Sequence, residues 1–475
     1  FKLDIPLIKP DFLLVESAWQ GNEGKWRYMV TSARGPKPPL VELVKLCREA
    51  GIPTVFWNKE DPPHFKEFLP TARLFDYVLT TDAEMIPQYK EKTDAVGVEL
   101  LRFAADATLH TPRRTDGYRH GEIAFAGQYF AHKFPERRQQ MEILFRAAEK
   151  YDFSIYSRVL GGDPNYQFPP EFERFIVGSL PYSEMVKAYR RHKIFLNVNS
   201  VTNSSTMCAR RVYELSASKT AVVGLSSDAI RSVYPEDEVL LGNSAADIQS
   251  VFQSLLAGRE GDIKYRSVTQ RAWRRTLSHH TYGHRIDQIC ELIGIRVKKT
   301  CFRIKLIVGA EDSERVRLEH DFERQRFTFA NPVELTLTDE SELESSASSR
   351  MQFNDSSQNA EQYEFKDFVG FIDSRFSYGR FYLNDLILAL AQQPEVFAAK
   401  VLSGSAEEVQ RVEEAPRNGL PDYGWLAESN QEWTVADLCR LAGNKRGWSD
   451  LAVYLSDPFG ITGTTANVYD ELFDS

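Results

Sequence analysis

Two successive series of short apolar strands, each strand separated from the next by an amphipathic segment, constrain the fold of this chain most. The first series reads DFLLVES, then PPLVELVKLCREAG as a helix closed by Gly51, then IPTVFWN, then DYVLTTD. The second begins near Glu122 with IAFAGQYF and continues through RRQQMEILFRAAEK, FSIYSR and MVKAYRRHKIFLNVN to RRVYELSASKTAVVGL. Strands alternating with helices predict parallel sheets in an α/β fold. The 475 residues exceed what one hydrophobic core organises. The expected architecture is two Rossmann-like domains facing a cleft, residues 1–117 and 118–298, joined by a hinge around Pro112, Gly117 and Gly121. A C-terminal α/β domain, 299–475, follows, with a Ser-rich acidic segment at 339–362 that reads as a mobile linker. The chain starts at Phe1 and soon reads PDFLLVES, which looks like the second strand of a sheet, so a preceding segment is expected.

Composition narrows the partners. Hydrophobic residues at 42% and charged residues at 26% match a globular enzyme, and a net charge of -9 without a basic block argues against nucleic acid. The five cysteines, Cys47, Cys208, Cys290, Cys301 and Cys439, are scattered and form no C-x-x-C pair, so neither a disulfide framework nor a zinc site is indicated. No apolar run approaches the roughly 20 residues of a membrane-spanning helix. A cytoplasmic location is expected, with peripheral attachment to the inner face of the membrane as a variant.

The segment Asn197–Ile230 is the richest in chemistry. It places a strand, a polar loop with hydroxyl side chains, a helix starting near Thr206, and a second strand ending in Gly224. A helix start with hydroxyls and backbone N–H groups suits a nucleoside diphosphate. Arg210 and Arg211 can add charge-assisted bonds to phosphate, and Glu214, one turn on, can accept the ribose hydroxyls.

The run Arg211, Val212, Tyr213, Glu214, followed by Ala221, Val222 and Val223, resembles the donor-binding motif of CgeB-like and related group 1 GT-B glycosyltransferases. The likeness extends to IAFAGQYF with Arg137 and Arg138, to VGSLPYSEMVKAYRRHKIFLNVN and to HHTYGHR, covering residues 10 to 295. It implies that Glu214 binds the donor ribose, that Arg211 and the Ser204, Ser205 and Thr206 loop face the diphosphate with Asn199 beside them, and that Gly127 lets the backbone approach it. A helix-surface ion pair is the competing role for Arg211, and a tight turn for Gly127. Two departures stand out. The family usually has Gly after the helix, near Ser218 or Lys219, and retaining members carry a second Glu where this chain has Thr206.

A general base is expected from the N-terminal domain, where Asp61, Glu60, His64 and Glu16 lie at strand ends, Asp61 first because Pro62 and Pro63 stiffen its loop. Trp19 and Trp57 are candidates for stacking on an acceptor sugar, core packing being the commoner fate of a Trp beside a strand. The stretch Phe368–Leu390 is similar to the strand and helix around the DxD motif of GT-A enzymes. There the acidic pair is reduced to Asp373-Ser374-Arg375, a poor metal site and the mark of a degenerate domain that binds a partner, an acceptor or its own neighbour.

The reading implied is a metal-independent glycosyltransferase, with a nucleotide sugar as co-substrate, no other cofactor, and a surface glycan, polysaccharide or protein as acceptor. Oligomerisation through the C-terminal domain fits the same reading. The alternatives are a catalytically inactive sugar- or nucleotide-binding scaffold of spore or envelope assembly, and an epimerase of the same outline.

Overall fold

The computed structural model describes residues 4–21, 24–31, 35–112, 119–309, 312–339, 362–373 and 377–392, with short strands beyond. A short helix α1 (Asp4–Ile8) leads into a four-stranded parallel sheet of β1 (Leu13–Glu16), β2 (Thr54–Asn58), β3 (Tyr77–Thr80) and β4 (Gly97–Leu100), paired in chain order. Helices α2 (Pro38–Glu49), α3 (Phe65–Ala72) and α4 (Ile86–Lys92) connect them.

Helix α2 opens on Pro38 and Pro39, whose fixed φ suits a first turn, and buries Leu40, Leu43, Val44 and Cys47 at helical spacing. It stops at Gly51, whose φ of 70° lets Ile52 N–H reach the Cys47 carbonyl at 2.9 Å. Strand β2 is buried on both faces. Phe56 packs with Leu40, Val44, Phe65 and Phe68 on one side. Val55 and Trp57 face Ile289 and Leu292 on the other.

Those last two residues belong to α11 (Tyr282–Leu292), near the end of the second series. Arg285 donates to the carbonyls of Arg102 and Phe103, and Gln288 to that of Leu100. The helix assigned by sequence to the second domain thus covers the open face of the first sheet.

The second sheet is wholly parallel: β5 (Gly121–Gly127), β6 (Phe153–Ser157), β7 (Ile176–Gly178), β8 (His192–Asn197), β9 (Ala221–Leu225) and β10 (Leu240–Gly242), ordered β10-β9-β8-β5-β6-β7. The helices of this unit are α5 (Pro135–Ala148), α6 (Tyr182–Tyr189), α7 (Arg210–Ala217), α8 (Asp228–Arg231), α9 (Ala245–Leu256) and α10 (Gly258–His279). Strand order reverses between β5 and β8. In open α/β sheets that reversal leaves a crevice beyond the strand ends, where ligands bind. Two Rossmann-like units with strand ends facing one cleft is the GT-B arrangement. Of the hinge residues, Gly117 lies outside the described residues, while Gly121 opens β5 and Pro112 is buried.

Lys219 replaces the glycine expected after α7. It adopts a φ of 49°, and Thr220 N–H still reaches the Leu215 carbonyl at 3.0 Å, as in a glycine-closed helix end. A side chain in this region costs roughly 1–2 kcal/mol. Offsetting contacts surround it: Arg119 and Tyr265 donate to the Lys219 carbonyl, and its Nζ lies 4.5 Å from the Trp273 ring centroid.

The third unit starts with β11 (Lys299–Gly309), α12 (Asp312–Glu323) and β12 (Val333–Asp339), then β13 (Tyr363–Asp373), with β11 parallel to both neighbours. Strands β14 (Ser377–Tyr378), β15 (Phe397–Ala399), β16 (Pro416–Asn418), β17 (Gly424–Glu428), β18 (Ala452–Leu455) and β19 (Ile461–Thr462) complete two sheets. Helix α13 (Tyr382–Gln392) joins Leu383, Leu386 and Ile387 to the core that contains Val212, Tyr213 and Trp273 of the second unit. Ser374, Arg375 and most of the Ser-rich segment lie outside the described residues.

Candidate functional site

A cavity of about 640 Å³ sits where the strand ends of the first two sheets meet. Ser17, Lys59 and Glu60 line it from the first unit; Ala126, Gly127, Val198 and Asn199 line it from the reversal between β5 and β8. Helix α7 adds Arg210, Arg211 and Glu214, and α5 adds Arg137. The volume lies within the range of small-molecule sites.

Two guanidinium groups dominate this wall. Arg137 is 9% exposed; its Nη1 donates to the Val198 carbonyl at 2.9 Å and to Ser200 Oγ at 3.2 Å, while its buried Nε has no partner. Burial, and then the neighbouring Arg211 charge, bring its pKa down to about 10. Arg211 donates to the Ala126 carbonyl and, from Nε at 3.4 Å, to the Tyr189 hydroxyl. Among the described residues neither forms an ion pair with a carboxylate. Arg137 is buried and Arg211 half-buried, and like charges held side by side favour an anion beside them.

Glu214 is 2% exposed and lies among donors. Tyr182 donates to Oε1 at 2.7 Å, Arg210 Nε pairs with the same oxygen at 2.7 Å, and Tyr189 donates to Oε2 at 3.0 Å. Burial alone would raise its pKa, but the Arg210 charge and the Tyr182 hydroxyl help to outweigh burial and hold it below the usual glutamate value. The anion is therefore the resident form. His110 is kept neutral, burial outweighing the pull of Glu214. Its Nδ1 accepts from Asp106 N–H at 3.0 Å, so Nε2 carries the proton and donates to Tyr182 Oη at 2.9 Å. Oε2 retains capacity for a further donor.

Gly127 lines the cavity at the end of β5. A Cβ there would stand 2.7 Å from Phe125 Cζ and 3.5 Å from Arg137 Nη2, and Phe125 is locked in the core. Asn199 lines the cavity and accepts from Asn197 Nδ2 at 3.0 Å.

Several expectations are corrected. Helix α7 begins at Arg210 rather than Thr206, because Ser204 Oγ accepts from the N–H groups of Thr206 and Met207 and folds the preceding loop into its own turn. Ser204 is buried, Ser205 is exposed, and neither lines the cavity. Thr206 instead clasps the first unit: its Oγ1 accepts from Ala83 N–H, and its carbonyl accepts from Arg102 at 2.8 Å.

Asp61 is fully buried and accepts from Asn58, Thr80 and Tyr89, so it cannot reach an acceptor. Burial pushes its carboxyl up to about 7, against the donors of Thr80 and Tyr89 that favour the anion. Its neighbour Glu60 is the carboxylate that faces the cavity. Glu16 pairs with Lys59 at 2.5 Å, and His64 pairs with Glu67 at 3.1 Å while its ring packs on Trp19. Neither lines the cavity. Trp57 is core, its indole N–H bound to the Leu101 carbonyl at 3.0 Å, and Trp19 packs edge-on against Phe68. No stacking platform is formed by either.

Arg137, Tyr182, Tyr189, His110 and Lys59 complete the site without having been picked out as site residues from the sequence. Arg137 was visible as the first charged pair after IAFAGQYF, but an amphipathic helix gives no sign of which of Arg137 and Arg138 turns inward. Arg138 caps its own loop through the carbonyls of Phe130 and Lys133.

Residues 137–291 match the family model described as "Glycosyl transferase-like". The match spans about a third of the chain. It contains Arg137, Arg211 and Glu214 but neither Glu60 nor the third unit. No curated protein matches the chain. Among solved structures, the chain is similar to sucrose-phosphate synthase from Thermosynechococcus elongatus, at 14% identity and a TM-score of 0.38, covering 62% of this chain and 75% of that one. It is also similar to Anabaena HepE in complex with UDP and glucose, at 13% identity and a TM-score of 0.39, covering 54% and 75%. A glycosyltransferase from Rickettsia africae is similar at 11% identity and a TM-score of 0.36, covering 61% and 86%. Likenesses of this size leave the architecture of the chain to its own sheets and strand order.

Proposed function

We propose that the chain transfers a sugar from a nucleoside-diphosphate donor to a hydroxyl of a glycan, polysaccharide or protein. The observation that carries this is the pair of buried Arg137 and half-buried Arg211, side by side at the strand-order reversal, with no carboxylate bonded to either among the described residues. Their charges match a diphosphate, and the α7 N-terminus at Ala209 and Arg210 adds its partial positive charge. Stabilising the departing diphosphate in this way needs no metal. Glu214 would accept a ribose hydroxyl through Oε2. The general base for the acceptor would be Glu60, the carboxylate that the first unit turns into the cavity.

Isothermal titration with UDP and GDP tests the reading, coupled to a transfer assay over a panel of nucleotide sugars. Saturable binding that Arg211→Met weakens about tenfold or more is expected. Absence of binding by any nucleoside diphosphate would overturn it. The burial of Asp61 away from the cavity is the observation favouring a non-catalytic binding protein. Nucleotide binding without transfer or donor hydrolysis would identify that case.

A further inference from the structure

The third unit contributes no residue to the cavity wall among those described, yet it is bonded to the network that holds Glu214. Helix α13 lies along α10, where Asp385 and Arg274 form a buried two-point pair at 2.6 and 2.7 Å. At the end of α13, Gln392 is 1% exposed. Its Oε1 accepts from Trp273 Nε1 at 2.9 Å, and its Nε2 donates to the carbonyls of His110 at 3.0 Å and Ala217 at 3.2 Å. A flipped amide would set oxygen against two carbonyls and NH2 against an indole N–H, so only one orientation satisfies all three partners.

Both carbonyls belong to segments that build the site. Ala217 ends α7, the helix that carries Arg211 and Glu214. His110 donates to Tyr182, which donates to Glu214 Oε1. One buried amide from the third unit therefore ties the backbone behind His110 to the far end of α7. The segment that carries His110 and the helix that carries Glu214 are held in register by that tie. Leaving either carbonyl unpaired in this dry position would carry a desolvation cost that a shift of the segment toward water relieves.

We infer that Gln392 is a positioning residue for nucleotide binding, through which the C-terminal unit keeps the Glu214 network in its binding geometry. This rests on the nucleoside-diphosphate reading of the cavity. The test is the Kd for UDP and GDP, measured on the full chain together with its melting temperature. Gln392→Met, similar in length but unable to donate, should raise Kd about tenfold. Asp385→Asn, which weakens the same α10–α13 contact at the Arg274 pair, should lower the melting temperature as much while changing Kd less than about twofold. If the two variants shift Kd in proportion to their losses in melting temperature, the third unit acts only by docking and the inference falls. Should Gln392→Met not fold, Trp273→Phe removes the indole N–H that orients the amide, together with part of the ring against which Lys219 lies. It should raise Kd about threefold, and an unchanged Kd in that variant would equally overturn the inference. Failure of the unaltered protein to bind either nucleotide would instead sink the reading of the cavity itself, and this inference with it.

Discussion

Thr206 Oγ1 accepts a hydrogen bond from the backbone N–H of Ala83 at 2.9 Å, so the polar loop before α7 is fastened to the first unit across the cleft. The Thr206 carbonyl, held by Arg102, doubles the clasp. Replacing Thr206 by Val keeps the shape and removes the acceptor. About 1 kcal/mol of stability should be lost, seen as a lower denaturation midpoint, with faster proteolysis after Thr81 or within 199–209. Unchanged proteolysis and midpoint would show that the clasp is not closed in solution.

The Tyr182 hydroxyl is the hinge of the carboxylate network, accepting from His110 and donating to Glu214. Tyr182→Phe should weaken nucleotide binding several-fold, and Glu214→Ala should weaken it more strongly, since a charged acceptor contributes about 1.5–3 kcal/mol against about 1 kcal/mol for a neutral one. Calorimetry on both variants checks the order. A Tyr182→Phe effect equal to or above that of Glu214→Ala would contradict it.

Arg137 and Arg211 repel one another in the ligand-free protein, and the proposed diphosphate would satisfy both. Arg137→Met should therefore raise the melting temperature of the ligand-free protein, or leave it unchanged, while weakening nucleotide binding about tenfold or more. A loss of ligand-free stability with unaltered nucleotide affinity would assign Arg137 to the fold instead.

Asp61 gives the fold a pH dependence with a defined sign. Its folded pKa of about 7 lies above the unfolded value of about 3.9, so the protonated form is favoured by folding. The stability it contributes is complete below the unfolded value and is lost as pH rises through 7, at about 1.4 kcal/mol for each pH unit between the two values. Asp61→Asn should remove this slope, making the variant more stable relative to wild type at pH 8 than at pH 4. Parallel pH profiles of the two proteins would exclude a raised pKa at this site.

Glu60 is the first unit's carboxylate at the cavity. Glu60→Gln should lower the rate of transfer by about two orders of magnitude or more while leaving nucleotide affinity within about twofold, as expected for a base that acts only on the acceptor. Equal loss of both would place Glu60 in donor binding.

The alternation of strands and helices, the closure of α2 at Gly51 and the cluster Arg211–Glu214 were legible because each depends on local pattern. Apolar spacing selects the element, a glycine or proline ends it, and a charged pair on a short helix next to a strand end has few places to point. Local pattern was therefore enough for the α/β units, the general location of the candidate site and one of the arginines that line it. Packing between the units settled which of Asp61 and Glu60 reaches the cavity, since a one-residue step around a turn reverses a side chain from core to cleft. It also settled that Trp57 is core, that Thr206 clasps rather than binds, and that α11 crosses back to the first sheet. Gln392 finds its three partners more than a hundred residues away, which no local pattern encodes: a buried amide goes where unpaired carbonyls and an indole N–H meet, and those meet only once the units have packed.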